Sequence, residues 1–442
     1  MFERKIMKLT NPTYIALSGI AAFLLLISSQ SLYSGDDKQE SNLLNVYDTL
    51  TQSVSRFYSE GNYRKVLELT EQIDSVSVSP KLLFFRGMSY GALYNYPKAQ
   101  NCFQKLIQEE STNVNYRFQF GRLLIQSGFT DEAIVQLKTC IELDSSYLPA
   151  SFQLGVIYNL RKKDPEKEIE IFSFLIRQNP EDFLSLYYKG DALKRFGLAD
   201  SGIEFIQKSV ELNPRYFPSI IAFANYINSK KDYTGALDLY QKAGAMRPND
   251  EDVVFQIGEC YRKLGQLNEA VTQFKNAILL DSLNALYYAQ LGYAYFSLGA
   301  YDSSIAAYNK AIFFDENNVQ YYRNLALVFQ KMDSTEGVVK SYQRGIKALH
   351  PEEISHVYND LAAYYLGKNR WREAAEAYQQ VTIFNPENES ALYWAGHSYM
   401  QVSEKKSAIA AFEKYLKLTE GDTSKVNFRR YVKQSIETLR RK

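Results

Sequence analysis

Aromatic residues that recur at a fixed spacing give this sequence its clearest chemical feature. Large apolar side chains return every 34 or 35 residues through the first half of the chain. They are Phe84, Phe118, Phe152, Tyr187, Ile221 and Phe255. One helical turn later the side chains are mixed, and they include Met88 and Arg122. Aligned rings of this kind can anchor apolar side chains of a polypeptide. We therefore expect a peptide-binding surface made of Phe84, Met88, Phe118, Arg122, Phe152, Tyr187 and Phe255. The alternative is that the rings only pack between neighbouring helices.

Residues for covalent chemistry or metal binding are nearly absent from the sequence. It contains no GxxxxGK[ST], GxSxG or HExxH motif and no GxGxxG after a strand. The three histidines are His350, His356 and His397, and the first two flank Pro351 without ligand spacing of a known kind. We expect no catalytic residue, no metal site and no cofactor.

Helical hairpins must position the aromatic residues. Residues 253–281 align with residues 287–315 after a shift of 34, which pairs Gly258 with Gly292. Apolar residues from Val254 to Leu264 have the spacing i, i+3, i+4, i+7, which is typical of a helix. Gly265 should end this helix, and a second apolar stripe that includes Phe274 follows. One such hairpin cannot bury its own apolar stripe, so hairpins must stack.

The period and these positions resemble the tetratricopeptide repeat (TPR) family. Its small first-helix residue recurs at Gly87, Gly121, Gly155, Gly190, Ala224, Gly258, Gly292, Ala326, Ala362 and Gly396. The resemblance implies an all-α fold, an α-solenoid of about eleven stacked antiparallel hairpins that forms a right-handed superhelix. The first helices would line a concave surface, and the aromatic row would lie there. The family's carboxylate clamp needs Lys, Asn and Arg at such places. This chain has Phe84, Met88, Phe118, Arg122 and Gln153 there, so we expect no clamp.

We expect four segments along the chain. Residues 1–33 form a signal peptide or signal anchor, 34–45 a polar linker, 46–420 the solenoid and 421–442 a C-terminal capping helix. Insertions near Arg161–Lys167 and Ala348–Glu353 should lengthen two loops. The capping helix has an apolar stripe of Val426, Phe428, Val432, Ile436 and Leu439, and basic residues surround it. Those cations could alternatively contact an anionic lipid or an acidic partner.

The N-terminal segment indicates a compartment. Arg4, Lys5 and Lys8 precede an apolar run of 16 residues from Tyr14 to Ser29. Basic residues before such a run favour export of the body, so we expect an extracytoplasmic protein, periplasmic in a bacterium. If the signal is not cleaved, residues 14–33 would anchor the chain in a membrane. No cysteine follows the run, which excludes a lipoprotein signal.

Composition limits the remaining function classes. The 51 basic and 50 acidic residues nearly cancel, which argues against nucleic-acid binding. Cys102, Cys140 and Cys260 are an odd, scattered set, as expected for buried apolar side chains rather than a disulfide framework. We expect a non-catalytic scaffold that binds proteins or peptides. The alternatives are a membrane-tethered assembly or export factor for envelope components, and a non-catalytic subunit of an enzyme complex. The sequence leaves the oligomeric state open.

Overall fold

Two local signals define each hairpin, a capped helix start and a short turn. The helix Glu251–Lys263 illustrates both. The carboxylate of Asp250 accepts a hydrogen bond from the backbone N–H of Val253 at 3.1 Å, which satisfies a donor that the helix start leaves free. Gly265 follows the helix with φ +77°, a left-handed conformation that glycine adopts without strain. The predicted turn is therefore confirmed, and the chain reverses direction within a few residues.

The computed structural model describes residues 37–73 and 78–441, without the side chains of residues 37–46, 351 and 352. Within these residues the chain forms 23 α-helices and no strand. They divide into two compact units, which meet in the sequence at Pro214 and Arg215. The helices of the first unit are α1 (Asp37–Ser59), α2 (Tyr63–Thr70), α3 (Pro80–Ala92), α4 (Tyr96–Glu109), α5 (Val114–Gln126), α6 (Thr130–Leu143), α7 (Leu148–Ile157), α8 (Pro165–Gln178), α9 (Phe183–Arg195) and α10 (Ala199–Leu212).

The second unit continues the same pattern with thirteen helices. They are α11 (Phe217–Ser229), α12 (Tyr233–Met246), α13 (Glu251–Lys263), α14 (Leu267–Leu280), α15 (Ala285–Ser297), α16 (Tyr301–Phe314), α17 (Val319–Lys331), α18 (Thr335–Ala348), α19 (Pro351–Gly367), α20 (Trp371–Phe384), α21 (Glu389–Gln401), α22 (Lys405–Leu418) and α23 (Val426–Arg441). Paired in order, the described helices give eleven hairpins and one final helix. Within each unit, the second helix of a hairpin packs on the first helix of the next. The predicted all-α stack of hairpins is confirmed.

The core of each hairpin combines a small residue with a large apolar side chain, which is a ring in most of the described hairpins. Phe274 of α14 is completely buried and faces Gly258 of α13. A Cβ atom at Gly258 would lie 2.8 Å from the Phe274 ring, which is closer than atoms in contact can approach. Tyr308 of α16 faces Gly292 of α15 in the same way, with the corresponding distance 3.1 Å. The small residues therefore allow the helices to approach, as their spacing predicts.

Both predicted loop insertions are accommodated by helix rather than by loop. A π-helix, Tyr158–Lys162, extends α7, and α8 already begins at Pro165. At the second place only two residues separate α18 from α19, because α19 lengthens to 17 residues. Helix is also found where residues 34–45 are predicted to be a linker, since α1 begins at Asp37. Lys, Gln and Glu in that stretch favour helix.

The last helix, α23, packs on α22 through part of its predicted stripe. Val432 and Ile436 are buried, and Leu439 is partly buried. Val426 and Phe428 were expected on the same buried stripe, but half of each side chain is exposed. They occupy the first turn of the helix, where its apolar neighbours are fewer.

The predicted signal or anchor at residues 1–33 lies outside the described residues. Among residues 37–73 and 78–441, no helix is both long enough and apolar enough to cross a membrane.

Candidate peptide-binding surface

The first helices of successive hairpins form one surface in each unit, which we call the first-helix face. In the first unit α3, α5, α7 and α9 carry Phe84, Phe118, Phe152 and Tyr187. All four side chains are half-buried. The predicted row therefore exists in this unit, with part of each side chain open to solvent.

Each ring of the row also contacts an aromatic neighbour. Phe84 stacks on Tyr116 of α5, with ring centroids 5.4 Å apart. Phe118 meets the edge of Tyr147, which precedes α7, at the same distance. Phe152 lies 5.9 Å from Tyr188 of α9. Phe84, Phe118 and Phe152 thus help to hold successive first helices together, and their remaining exposed parts can still contact a ligand.

Arg122 supplies positive charge beside these rings. Its side chain is exposed, and its guanidinium donates a hydrogen bond to Gln119 Oε1 at 3.2 Å. Among the described residues no carboxylate forms an ion pair with it. Burial raises the pKa of Tyr58 and of Tyr147, and the charge of Arg122 acts against both shifts. Arg122 therefore lies near both phenols, in a partly apolar setting.

Met88 and Tyr187 complete the predicted set in the first unit, whereas Phe255 belongs to the second. Met88 is half-buried and packs against the core of its unit. Tyr187 lies 5.3 Å from the ring of Tyr188. Phe255 is only 8% exposed, with its ring stacked 4.9 Å from Tyr287 of α15. Its place is the core of α13–α15, and a ligand could touch little of it.

Two cations on the first helices of the second unit are paired with acidic residues. Arg262 and Glu259 lie 2.7 Å apart on α13. Arg323 of α17 contacts Asp360 of α19, with Nε and Oδ2 separated by 2.5 Å. Burial raises the pKa of Asp360, and the charge and hydrogen bond of Arg323 oppose the rise. This pair borders a cavity of about 450 Å³ that Gln320 also lines.

The sequence reasoning missed one aromatic group on this face. Tyr393 and Trp394 of α21 lie beside Phe428 of α23. Tyr393 precedes Gly396 by three residues, as Phe118 precedes Gly121, so the same offset could have found it. The intervening hairpins have Ala289, Arg323 and Asn359 at this offset, so the aromatic row is interrupted before Tyr393.

Metal or nucleophilic chemistry has little support in the described part of the chain. No group of three His, Cys, Asp or Glu side chains there could hold a metal ion. Cys102, Cys140 and Cys260 are buried free thiols, as predicted. Burial raises the pKa of Cys140 and of Cys260 to about 11, so both remain protonated at neutral pH.

Comparison with known proteins identifies the repeats. A family model described as TPR repeat matches residues 258–299 and 292–333, and one described as Tetratricopeptide repeat matches residues 359–423. Residues 258–333 and 359–423 therefore match tetratricopeptide repeats, as the sequence pattern predicts.

Individual relatives are distant. TPR repeat-containing protein YpiA of Bacillus subtilis (strain 168) is 24% identical over 236 residues, which is 50% of this chain and 53% of YpiA. The chain thus spans about half the length of that curated relative. Among solved structures, YrrB, described as a TPR protein with an unusual peptide-binding site, is 19% identical and has a TM-score of 0.37. The match covers 41% of this chain and 93% of YrrB. A tetratricopeptide repeat protein from Parabacteroides merdae is 14% identical, with a TM-score of 0.40. That match covers 57% of this chain and 98% of the other.

Proposed function

We propose that this protein is a non-catalytic scaffold that binds polypeptides on the first-helix face of its first unit. One observation supports this most directly. The rings of Phe84, Phe118 and Phe152 are half-buried on successive first helices, and Arg122, one helical turn after Phe118, has no carboxylate ion-pair partner in the described residues. Rings anchor apolar side chains, and an unpaired cation favours an acidic residue nearby. The expected ligand is an apolar segment that carries at least one Asp or Glu.

Selection from a random peptide library would test this proposal. Peptides enriched on the purified full chain should combine apolar and acidic residues. Arg122→Glu should weaken binding of the acidic peptides by about tenfold or more, because it replaces electrostatic attraction with repulsion at an exposed position. Phe118→Ala combined with Phe152→Ala should abolish capture while the circular dichroism of the helices is retained.

The control variant is Val135→Ala with Leu143→Ala. Both side chains are exposed on α6, a second helix, so the control removes similar apolar surface from another face. It should bind the selected peptides as the wild type does. Equal binding by the Phe118/Phe152 variant and the wild type would remove the aromatic row from consideration.

We further propose that the body of the protein acts outside the cytosol. The support is the sequence pattern of Arg4, Lys5 and Lys8 before the apolar run Tyr14–Ser29. If that run is retained, the protein would be a tethered assembly or export factor. A fusion of alkaline phosphatase after Ser41 should be active, since this enzyme matures only outside the cytosol. Activity of a cytosolic reporter alone at the same junction would overturn the localisation.

A further inference from the structure

One second helix departs from the repeat pattern at its fifth residue. In ten of the eleven hairpins this residue is aliphatic and is buried or partly buried. The ten residues are Leu67, Ile134, Ile169, Ile203, Leu237, Val271, Ile305, Val339, Ala375 and Ile409. The exception is Gln100 of α4, which is partly buried as well. Burying a carboxamide costs free energy unless firm hydrogen bonds replace its bonds to water, so Gln100 calls for an explanation.

Packing within the hairpins does not explain Gln100. Its Nε2 donates to Ser127 Oγ at 3.4 Å, which is longer than the usual length of about 2.9–3.0 Å. A bond of this length contributes little, and Ser127 Oγ itself donates to the Leu123 carbonyl at 2.9 Å. An isoleucine in place of Gln100 would therefore serve the stack as Ile134 does in the next hairpin.

Gln100 lines a groove between α4 and α6, two successive second helices of the first unit. The groove has a volume of about 550 Å³, and Phe120 and Leu124 of α5 lie at its floor. This volume is typical of clefts that bind a ligand. The polar lining is Gln100, Gln104, Gln108, Glu132 and Gln136, and the rest of the apolar lining is Ile107 and Phe129.

The carboxamides of the groove are available to a ligand. Gln104 and Gln108 have exposed side chains, for which the described residues provide no hydrogen-bond partner. Gln136 Oε1 accepts a hydrogen bond from Arg117 at 3.0 Å, which leaves its Nε2 to donate elsewhere. A carboxamide offers a donor and an acceptor side by side and carries no net charge. A polypeptide backbone offers the same two groups at each residue other than proline.

The spacing of the α4 carboxamides matches an extended chain. Gln100, Gln104 and Gln108 are four residues apart, so they follow one another along α4 at intervals of about 6 Å. In an extended chain every second residue turns its N–H and C=O to the same side, at intervals of about 6.6–6.8 Å. Over two intervals the mismatch is about 1–2 Å, which flexible side chains can take up. Of the described second helices, no other has glutamine at more than one of these three places.

We propose that the groove between α4 and α6 binds an extended polypeptide segment by its backbone. The three carboxamides of α4 pair with the N–H and C=O groups on one side of the segment. Every second side chain of the segment faces Ile107 and the exposed ring of Phe129, so apolar residues are preferred there. The site goes beyond the proposed function, because it uses the second helices and the backbone of the ligand rather than the aromatic row and Arg122.

Fluorescence anisotropy with a defined peptide tests the groove. The probe is a capped, fluorescein-labelled hexapeptide in which threonine alternates with leucine, because β-branched residues favour an extended chain. The full chain should bind it saturably. N-methylation of alternate residues removes the N–H groups on one side of the peptide. At least one of the two methylated peptides should therefore bind more weakly by about tenfold or more.

Two variants of α4 locate the site, and each should weaken binding of the probe by about tenfold. Gln100→Ile restores the residue type of the other hairpins, so its midpoint of urea denaturation should equal or exceed that of the wild type. Gln104→Leu changes an exposed side chain and should fold normally. Gln207→Leu is the matched control, because Gln207 is exposed at the same place of α10. Arg122→Glu should bind this otherwise uncharged probe as the wild type does, which separates failure here from failure of the proposed function.

Any of three results would overturn the proposal. The first is the absence of a saturable rise in anisotropy, and if a fluorescein-labelled chitotetraose bound instead, the groove would be assigned to a saccharide. The second is unchanged binding of the probe by both Gln100→Ile and Gln104→Leu. The third is equal binding of the methylated and unmethylated peptides, which would mean that the backbone is not recognised.

Discussion

Glu168 offers the sharpest test of how the hairpins hold together in the first unit. Its side chain is completely buried on α8, and its carboxylate accepts two hydrogen bonds from Arg195 of α9, at 3.0 and 2.5 Å. Asn159, in the π-helix, donates a third at 3.0 Å. The equivalent place in other hairpins holds a small buried residue, as at Ala99, Ala133, Gly202, Ala236 and Ala270. The π-helix therefore coincides with a carboxylate where alanine is usual.

Removing Arg195 should destabilise the protein more than removing Glu168 does. Arg195→Met leaves the carboxylate of Glu168 buried without a counter-ion, and breaking a buried pair in this way costs about 3–5 kcal/mol. The lower end, about 3 kcal/mol, applies because 33% of the Arg195 side chain is exposed and water can enter when it is lost. Glu168→Ala should cost less, about 2 kcal/mol, mainly a cavity and a lost hydrogen bond. Arg195 would keep its contact with Asp191, at 2.9 Å, and turn toward water.

The double variant gives the decisive comparison. Adding Glu168→Ala to Arg195→Met should raise stability by about 1 kcal/mol, because it removes the uncompensated charge. Hydrogen exchange of peptides from α8 and α9 measures the local opening free energy, which is appropriate because repeat arrays do not unfold in two states. Asp191→Ala is the control, and it should cost about 1 kcal/mol or less. Equal costs for both single variants, or simple addition in the double, would refute the reasoning.

Three further predictions concern packing and protonation. Cys140 and Cys260 should resist thiol reagents in the native state and react on unfolding, since burial raises the pKa of both to about 11. If the folded protein reacted as fast as an exposed cysteine does, this prediction would be wrong. Burial lowers the pKa of His397, so the folded state binds its proton more weakly than the unfolded state does. As far as His397 is concerned, the free energy of unfolding should therefore be highest above about pH 6.5 and fall as the pH drops through the folded pKa. His397→Phe should remove this dependence of stability on pH. Gly190→Ala should destabilise the protein by about 3 kcal/mol, because its Cβ would lie 2.6 Å from a carbonyl oxygen of the facing helix. Gly367→Ala, with open space around it, should be neutral or stabilising. Urea denaturation of both variants and the wild type, followed by circular dichroism, measures the two effects.

The hairpins could be predicted because their determinants are local. Gly258 must be small where Phe274 crosses it, and Gly265 must take a positive φ to end α13. Both requirements recur every 34 residues and are visible without a structure. The conformation of the inserted residues could not be predicted in this way. The extra residues near Arg161 enter a π-helix, in which Asn159 donates a hydrogen bond to Glu168, a contact between residues that the repeat pattern does not contain.

The aromatic row shows what periodicity cannot determine. Phe118 and Phe255 occupy the same repeat position, yet only Phe118 keeps an open side. Tyr287 stacks on Phe255 and leaves it 8% exposed, whereas Tyr116, at the corresponding place, stacks on Phe84 and leaves it half-buried. The residue types at two repeated positions therefore do not determine how far a ring of the row is exposed.

The residue three before the small residue of each first helix varies in type, so it can carry specificity. It is Phe118 in one hairpin, Arg323 in another and Tyr393 in a third. In the first unit the position is aromatic and Arg122 has no carboxylate ion-pair partner among the described residues, whereas Arg323 in the second unit is paired with Asp360. On the proposed function, an acidic apolar segment would gain affinity from the former and little from the latter. Sequence variation at this one position would then change what each unit can bind.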